Sequence, residues 1–207
     1  MVFGAAPSQE DTLAALVAAP DIDWRRVTAF HMDDYIGLPA GAPQRFANWL
    51  ETRLFSRVPF GEVHRMSAEG HPDDIAKDYA TLLDAAPIDI VVLGIGVNGH
   101  VAFNDPPADL DDPLDVRVVE LDRTCRQQQV DDGAFARFDD VPIRALTLTV
   151  PRMLRASKLF CIVPTAAKRA AVRASLRGPV SGDCPASALR THPDCTLYLE
   201  PASDPDA

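Results

Sequence analysis

Short apolar runs alternate along the chain with segments in which apolar residues recur every three or four positions. Met1–Phe3, Arg26–His31 (RVTAFH), Ile88–Leu93, Val116–Leu121, Ala145–Val150, Lys158–Val163 (KLFCIV) and Thr196–Leu199 have the length and composition of strands. Helical patterns lie between them. Ser8 is placed to cap a helix from about Gln9 to Ala18, with Glu10 and Asp11 favourable in its first turn. From Ala42 to Val58, the residues Phe46, Trp49, Leu50, Leu54 and Val58 fall on one helix face and read as core. Further helices are predicted over Pro72–Asp84, just after Pro151, from a Thr165 cap to near Gly178, and over Pro185–Thr191. Residues 201–207 read as a frayed, flexible tail. Strand–helix alternation without internal repeats predicts a single α/β domain over residues 1–200. Its expected form is a doubly wound, mostly parallel, Rossmann-like sheet with helices on both faces.

Composition narrows the partners. A hydrophobic fraction of 47% and a charged fraction of 24% are ordinary for a soluble globular chain, and 207 residues suffice for a sizeable core. A net charge of −10 and a pI near 4.8 leave no basic cluster to neutralise nucleic-acid phosphates. One phosphate on a small substrate needs only a few placed cations, so an anionic metabolite stays open. No apolar run approaches the roughly 18–20 residues of a membrane span. The first residues lack the basic and apolar regions of a signal peptide, so a cytoplasmic location is expected. Cys125, Cys161, Cys184 and Cys195 show no CxxC spacing and no metal pattern with the histidines; they read as reduced thiols.

Three segments share one geometric property. Asp33 lies two residues past the strand ending at His31, His100 in the loop after Leu93, and Lys168 in the first turn of the helix after Val163. In a parallel sheet all three reach the carboxyl edge, where ligands bind. The loop at 93–107 (LGIGVNGHVAFNDPP) is the most informative. Gly94, Gly96 and Gly99 let the backbone turn and approach a ligand closely, and Asn98, His100, Asn104 and Asp105 follow on each other. The convergence supports a site holding a carboxylate, an imidazole and an ammonium group. Taken singly, each residue has a plainer reading: Asp33 and Asp34 as a turn pair, His100 as a structural histidine, Lys168 as a solvated lysine, Ser8 as a helix cap. His31, His64, His71 and His192 show no convergent partner and read as structural or surface residues.

The segments HMDDYIGLP (31–39), LGIGVNGHVAFNDPP (93–107), ALTLTVPRML (145–154), VPTAAKRAAV (163–172) and LRTHPDCTLYL (189–199) resemble the glucosamine-6-phosphate deaminase (isomerase) family, which also includes 6-phosphogluconolactonase. They span nearly the whole chain in family order. The pair MDDY…GLP and NGH…FN is closer to the deaminase branch than to the lactonase branch. The resemblance implies aldose–ketose isomerisation of an aminosugar phosphate with loss of ammonia, without metal or organic cofactor. It implies that Asp33 shuttles a proton between C2 and C1, and that Asp34 is its supporting acidic neighbour. His100 would open the sugar ring, with Asn98 and Asp105 orienting it. Imidazole suits that role near neutral pH, and a partner on its other nitrogen must fix the tautomer. Lys168, Ser8 and the loop from Ala5 to Gln9 match the phosphate site, with Gly96 and Gly99 close to substrate.

Four departures from the family pattern stand out. Met1 begins almost at the phosphate loop, which implies a lost element or a start inside a longer chain. That loop reads Gly4-Ala5-Ala6-Pro7-Ser8-Gln9, and Pro7 removes one N–H donor. The family's phosphate arginine is replaced by a run with Gln127, Gln128 and Gln129, leaving Arg126 as the nearest cation; this run reads as a polar lid or a surface loop. Asp105 is one methylene shorter than the usual glutamate. The losses at the phosphate site leave a different aminosugar phosphate or another sugar acid open as substrate. A sugar-phosphate sensor without turnover and a lactonase-type hydrolase are the alternative functions, and a homo-oligomer is compatible with the family.

Overall fold

The computed structural model describes all 207 residues, 1–207. Nine strands form, at Val2–Phe3 (β1), Thr28–His31 (β2), Asp33–Tyr35 (β3), Glu62–Val63 (β4), Ile90–Leu93 (β5), Val116–Glu120 (β6), Arg144–Leu148 (β7), Lys158–Val163 (β8) and Cys195–Leu199 (β9). Six of them make one sheet in the order β4-β2-β1-β5-β8-β9. Every pairing in it is parallel; Val2 sits beside Phe30 of β2 on one side and Val91 of β5 on the other. The other three strands form a small antiparallel sheet, β3-β7-β6, that the sequence pattern does not announce.

The period-2 alternation of the parallel strands explains why both faces of the large sheet are covered. Val2, Phe30, Val91, Leu93, Leu159 and Cys161 enter one buried cluster, and Phe3, Ala29 and Val92 enter a second on the opposite face. Helices run over Glu10–Ala18 (α1), Phe46–Leu50 (α2), Pro72–Leu83 (α3), Arg123–Asp131 (α4), Val150–Leu154 (α5) and Arg169–Arg177 (α6). None is long and apolar enough to cross a membrane.

Several expectations change in detail. The helix foreseen from Ala42 starts only at Phe46 and continues as a π turn over Glu51–Phe55. Its first amides, Phe46 and Ala47, are accepted not by a local cap but by the Asp34 carboxylate of β3. Ser8 is not the cap of α1. The chain enters through a 3-10 turn at Pro7–Gln9, so Gln9 takes the cap position, without a side-chain bond. Thr165 likewise makes no capping bond, and Lys168 closes a 3-10 turn ahead of α6. The region 123–131, read as lid or loop, is the regular helix α4. Residues 201–207, read as frayed, are held instead. Ser203 is fully buried and its hydroxyl donates to the Val163 carbonyl at 2.5 Å. Arg169, Arg173 and Arg177, four residues apart on one face of α6, reach Ala207, Pro205 and Asp206.

Candidate active site

The carboxyl ends of β1, β2, β5 and β8 open onto a cavity of about 610 Å³. The loop 4–10 forms one wall, Gly94 to Gly96 the floor, and α4 the opposite side with Gln128, Gln129 and Asp132. Asp33, His100 and Lys168 all line it, as do Ser8 and Gly96.

Asp33 and Asp34 separate because they are neighbours in a strand. In β3, Asp33 pairs with Thr147 and Asp34 with Leu146 of β7, so their side chains take opposite faces. Asp33 faces the cavity, nearly buried. Burial first, and then the negative charge of Asp34, pushes its carboxyl well above the usual carboxylate range. Asp34, expected at the substrate, lies away from the cavity. It is fully buried, ion-paired with Arg45 at 3.0 Å, and accepts the amides of Tyr35 and Phe46 at 2.9 Å each. His31 holds the backbone at Asp33. Its Nε2 accepts the Met66 amide at 2.9 Å, so Nδ1 carries the proton and donates to the Asp33 carbonyl at 2.9 Å. Burial pulls the His31 imidazolium down in pKa, which keeps this neutral form.

His100 is packed against Gly96: a Cβ there would run into the imidazole ring. The Gly96 amide donates to the His100 carbonyl at 2.9 Å, closing the turn that presents the ring. His100 Nδ1 stands 3.2 Å from Asp105 Oδ1. Asn98 Oδ1 accepts the His100 amide at 3.1 Å, while its Nδ2 donates to Asp105 at 3.2 Å. Burial works to raise the Asp105 carboxyl, but the neighbouring His100 ring and the amides of Asp122 and Asn98 hold it below the usual range. Asn98 and Asp105 thus stand behind His100 rather than in the cavity.

Lys168 is buried and its Nζ has no partner. Burial pulls its ammonium down in pKa, against the pull of the Asp132 and Cys125 side chains upward. A desolvated cation aimed into a cavity is a place for an anion. Beside it, Gln9 donates to Ser8 Oγ at 3.1 Å and to the Ile162 carbonyl at 3.2 Å, with its Oε1 buried and unpartnered.

Two other expected residues are not brought to the cavity. Arg126 donates to the carbonyls of Phe138 at 3.0 Å and Val141 at 2.8 Å and stacks over the Phe138 ring. Gly99 adopts φ +85° and its open side faces Cys184. The glutamines after Arg126 matter more. Gln128 accepts the Val97 amide at 3.0 Å, and Gln129 accepts the Tyr35 hydroxyl at 2.7 Å. Sequence reasoning placed Gln9 at the end of the phosphate loop and missed Asp132, Arg53 and Asp122. Arg53 lines the mouth, paired with Glu10 at 2.6 Å and stacked over Trp49. Only Asp122 carries a sequence signal, an aspartate directly ahead of a helix.

His100, Asp105 and Cys125 place one donor atom each within 4.8 Å of one another. Asp105 is already engaged by Asn98 and Asp122, and burial pushes the Cys125 thiol up in pKa, so these donors form a hydrogen-bonded cluster better than a metal site.

A model of the family described as glucosamine-6-phosphate isomerases/6-phosphogluconolactonase matches residues 7–198. The glucosamine-6-phosphate deaminase of Listeria monocytogenes is 34% identical over 194 residues, 93% of this chain and 81% of that protein. The enzyme of that name from Enterococcus faecalis is 32% identical over 197 residues, covering 95% and 83%. A solved monomeric glucosamine-6-phosphate deaminase superposes with a TM-score of 0.87 at 27% identity, over 98% of this chain and 86% of that one. The 6-phosphogluconolactonase of Thermotoga maritima, at TM-score 0.76 and 18% identity over 96% and 83%, shares the fold.

Proposed function

The chain belongs to the family of glucosamine-6-phosphate isomerases and 6-phosphogluconolactonases, and from that premise we propose that it is a glucosamine-6-phosphate deaminase, turning the aminosugar phosphate and water into a ketose phosphate and ammonia. The supporting observation is the convergence of Asp33, His100 and the unpaired Lys168 on one cavity.

Lys168, Ser8 and the loop from Ala5 to Gln9 after β1 hold the phosphate. His100 moves a proton between the ring oxygen and the anomeric hydroxyl and so opens the ring. Asp105 and Asn98 keep its proton on Nδ1, leaving Nε2 to exchange with substrate. Asp33 takes the proton from C2 and delivers it to C1, which leaves an imine at C2. Water adds there and ammonia departs. The high pKa of Asp33 makes it a stronger base once ionised, suited to a carbon acid. Because the ionised form is needed, turnover falls as pH drops through that raised pKa.

Ammonia release from glucosamine 6-phosphate, read through glutamate dehydrogenase, tests the reading. The wild-type chain turns over, and Asp33→Asn loses about 10²–10⁴-fold, the usual worth of a general base. No release from folded wild-type protein, or full activity in Asp33→Asn, sinks it.

A further inference from the structure

We propose that Asp122 is a positioning residue for the acid–base pair, coupling helix α4 to the loop that carries His100. The placement stands on the coordinates alone; its catalytic consequence rests on the deaminase reading above.

Besides its carbonyl, which accepts the Arg126 amide within α4, Asp122 makes three bonds in three directions. Its Oδ1 caps α4 by accepting the Cys125 amide at 2.5 Å. Its Oδ2 accepts Asn98 Nδ2 at 3.1 Å. Its own amide donates to Asp105 Oδ2 at 3.0 Å. The Asn98 amide therefore bridges two carboxylates, one hydrogen to each, while its oxygen holds the His100 amide. That pattern fixes which way the Asn98 amide faces, because only the nitrogen can serve two carboxylates. It also leaves Asp105 Oδ1 directed at His100 Nδ1. The helix that Asp122 starts returns to the same loop six residues later, where Gln128 accepts the Val97 amide. It reaches the strand of Asp33 through Gln129 and Tyr35. The cap of α4 is thus the one group that touches both supports of the histidine while anchoring the wall of the cavity.

Removing the Oδ2 contact alone separates this role from plain capping. Asp122→Ser keeps a hydroxyl that caps α4 but does not reach Asn98. Asp122→Asn keeps the capping oxygen and turns a donor toward the Asn98 donor. Both variants are expected to stay folded. Both are expected to lose about 10–100-fold in kcat, the usual cost of an outer partner of a reacting group, with KM within about twofold of wild type. The ring nitrogens of His100, followed by 15N NMR, report the tautomer without any turnover. The wild-type ring is protonated at Nδ1, and the variants show an averaged ring. Wild-type kcat together with an unchanged ring in both variants overturns the proposal. If the wild-type chain releases no ammonia, the deaminase reading fails, and the NMR comparison still decides whether Asp122 sets the ring.

Discussion

Lys168 and Asp33 sit almost without solvent, and burial shifts them in opposite directions. Ionised Asp33 is disfavoured in the folded chain, so its charge costs stability at pH values above its unfolded pKa; the loss eases as pH falls below the raised folded value. Asp33→Asn is therefore expected to unfold at a higher temperature than wild type at neutral pH, by about 0.5–2 kcal/mol, the range typical of relieving a functional site. Lys168 carries the matching cost: with its pKa lowered, the charged ammonium destabilises the fold at pH below its unfolded pKa. With phosphate held at Lys168 as proposed, inorganic phosphate is expected to offset that cost by binding the folded state. Thermal melts with and without phosphate check this. Wild type gains melting temperature with phosphate, and Lys168→Met melts higher without it and gains nothing from it. In the ammonia assay the same variant raises KM by roughly 30-fold or more, the loss of about 2 kcal/mol or more expected when a buried charge partner is removed. Asp33, His100 and Lys168 were legible as a group because each follows the end of a strand within seven residues. Asp34 was not, because which face it takes depends on the pairing of β3 with β7, not on its neighbours.

Elements differ in how openly the chain announces them. β5 and β8 are continuous apolar runs bounded by breakers, and the pattern finds them nearly to the residue. β3 is Asp-Asp-Tyr and α4 is Arg-Thr-Cys-Arg-Gln-Gln-Gln-Val-Asp; neither has a period to read. Their stability comes from partners elsewhere: the ladder with β7 for the first, and the Asp122 cap with the buried Cys125 and Gln129 for the second. The loop after β5 shows the reverse case, in which sequence and geometry agree. Gly96 leaves room for the His100 ring, so Gly96→Ala must displace the imidazole. The expected result is a fall in kcat of about 10²-fold, the penalty for misplacing a reacting group by an ångström, with far-UV circular dichroism unchanged. A variant as active as wild type would show that the ring position is not critical.

At the scale of the molecule, a net charge of −10 on 207 residues sets a background of self-repulsion. Raising sodium chloride from about 10 mM to 150 mM shortens the screening length from about 30 Å to 8 Å. The melting temperature should rise by roughly 2–4 °C, about 1 kcal/mol for a chain of this size. A melting temperature flat or falling with salt would mean that exposed ion pairs such as Arg53–Glu10 and Arg137–Asp140 outweigh the repulsion. The single α/β domain, its parallel sheet and the edge at which ligands meet it were determined by the sequence itself. Apolar runs and helical periods are local properties, and a parallel sheet sends every strand end to one side. Only the tertiary structure decided the rest: that Asp34 caps α2 and pairs with Arg45, that Arg126 is taken by the carbonyls of Phe138 and Val141, and that Asp122 joins Asn98 to Asp105. These are bonds between residues far apart in the chain or on different elements, and no local period encodes which polar groups meet when the apolar faces close.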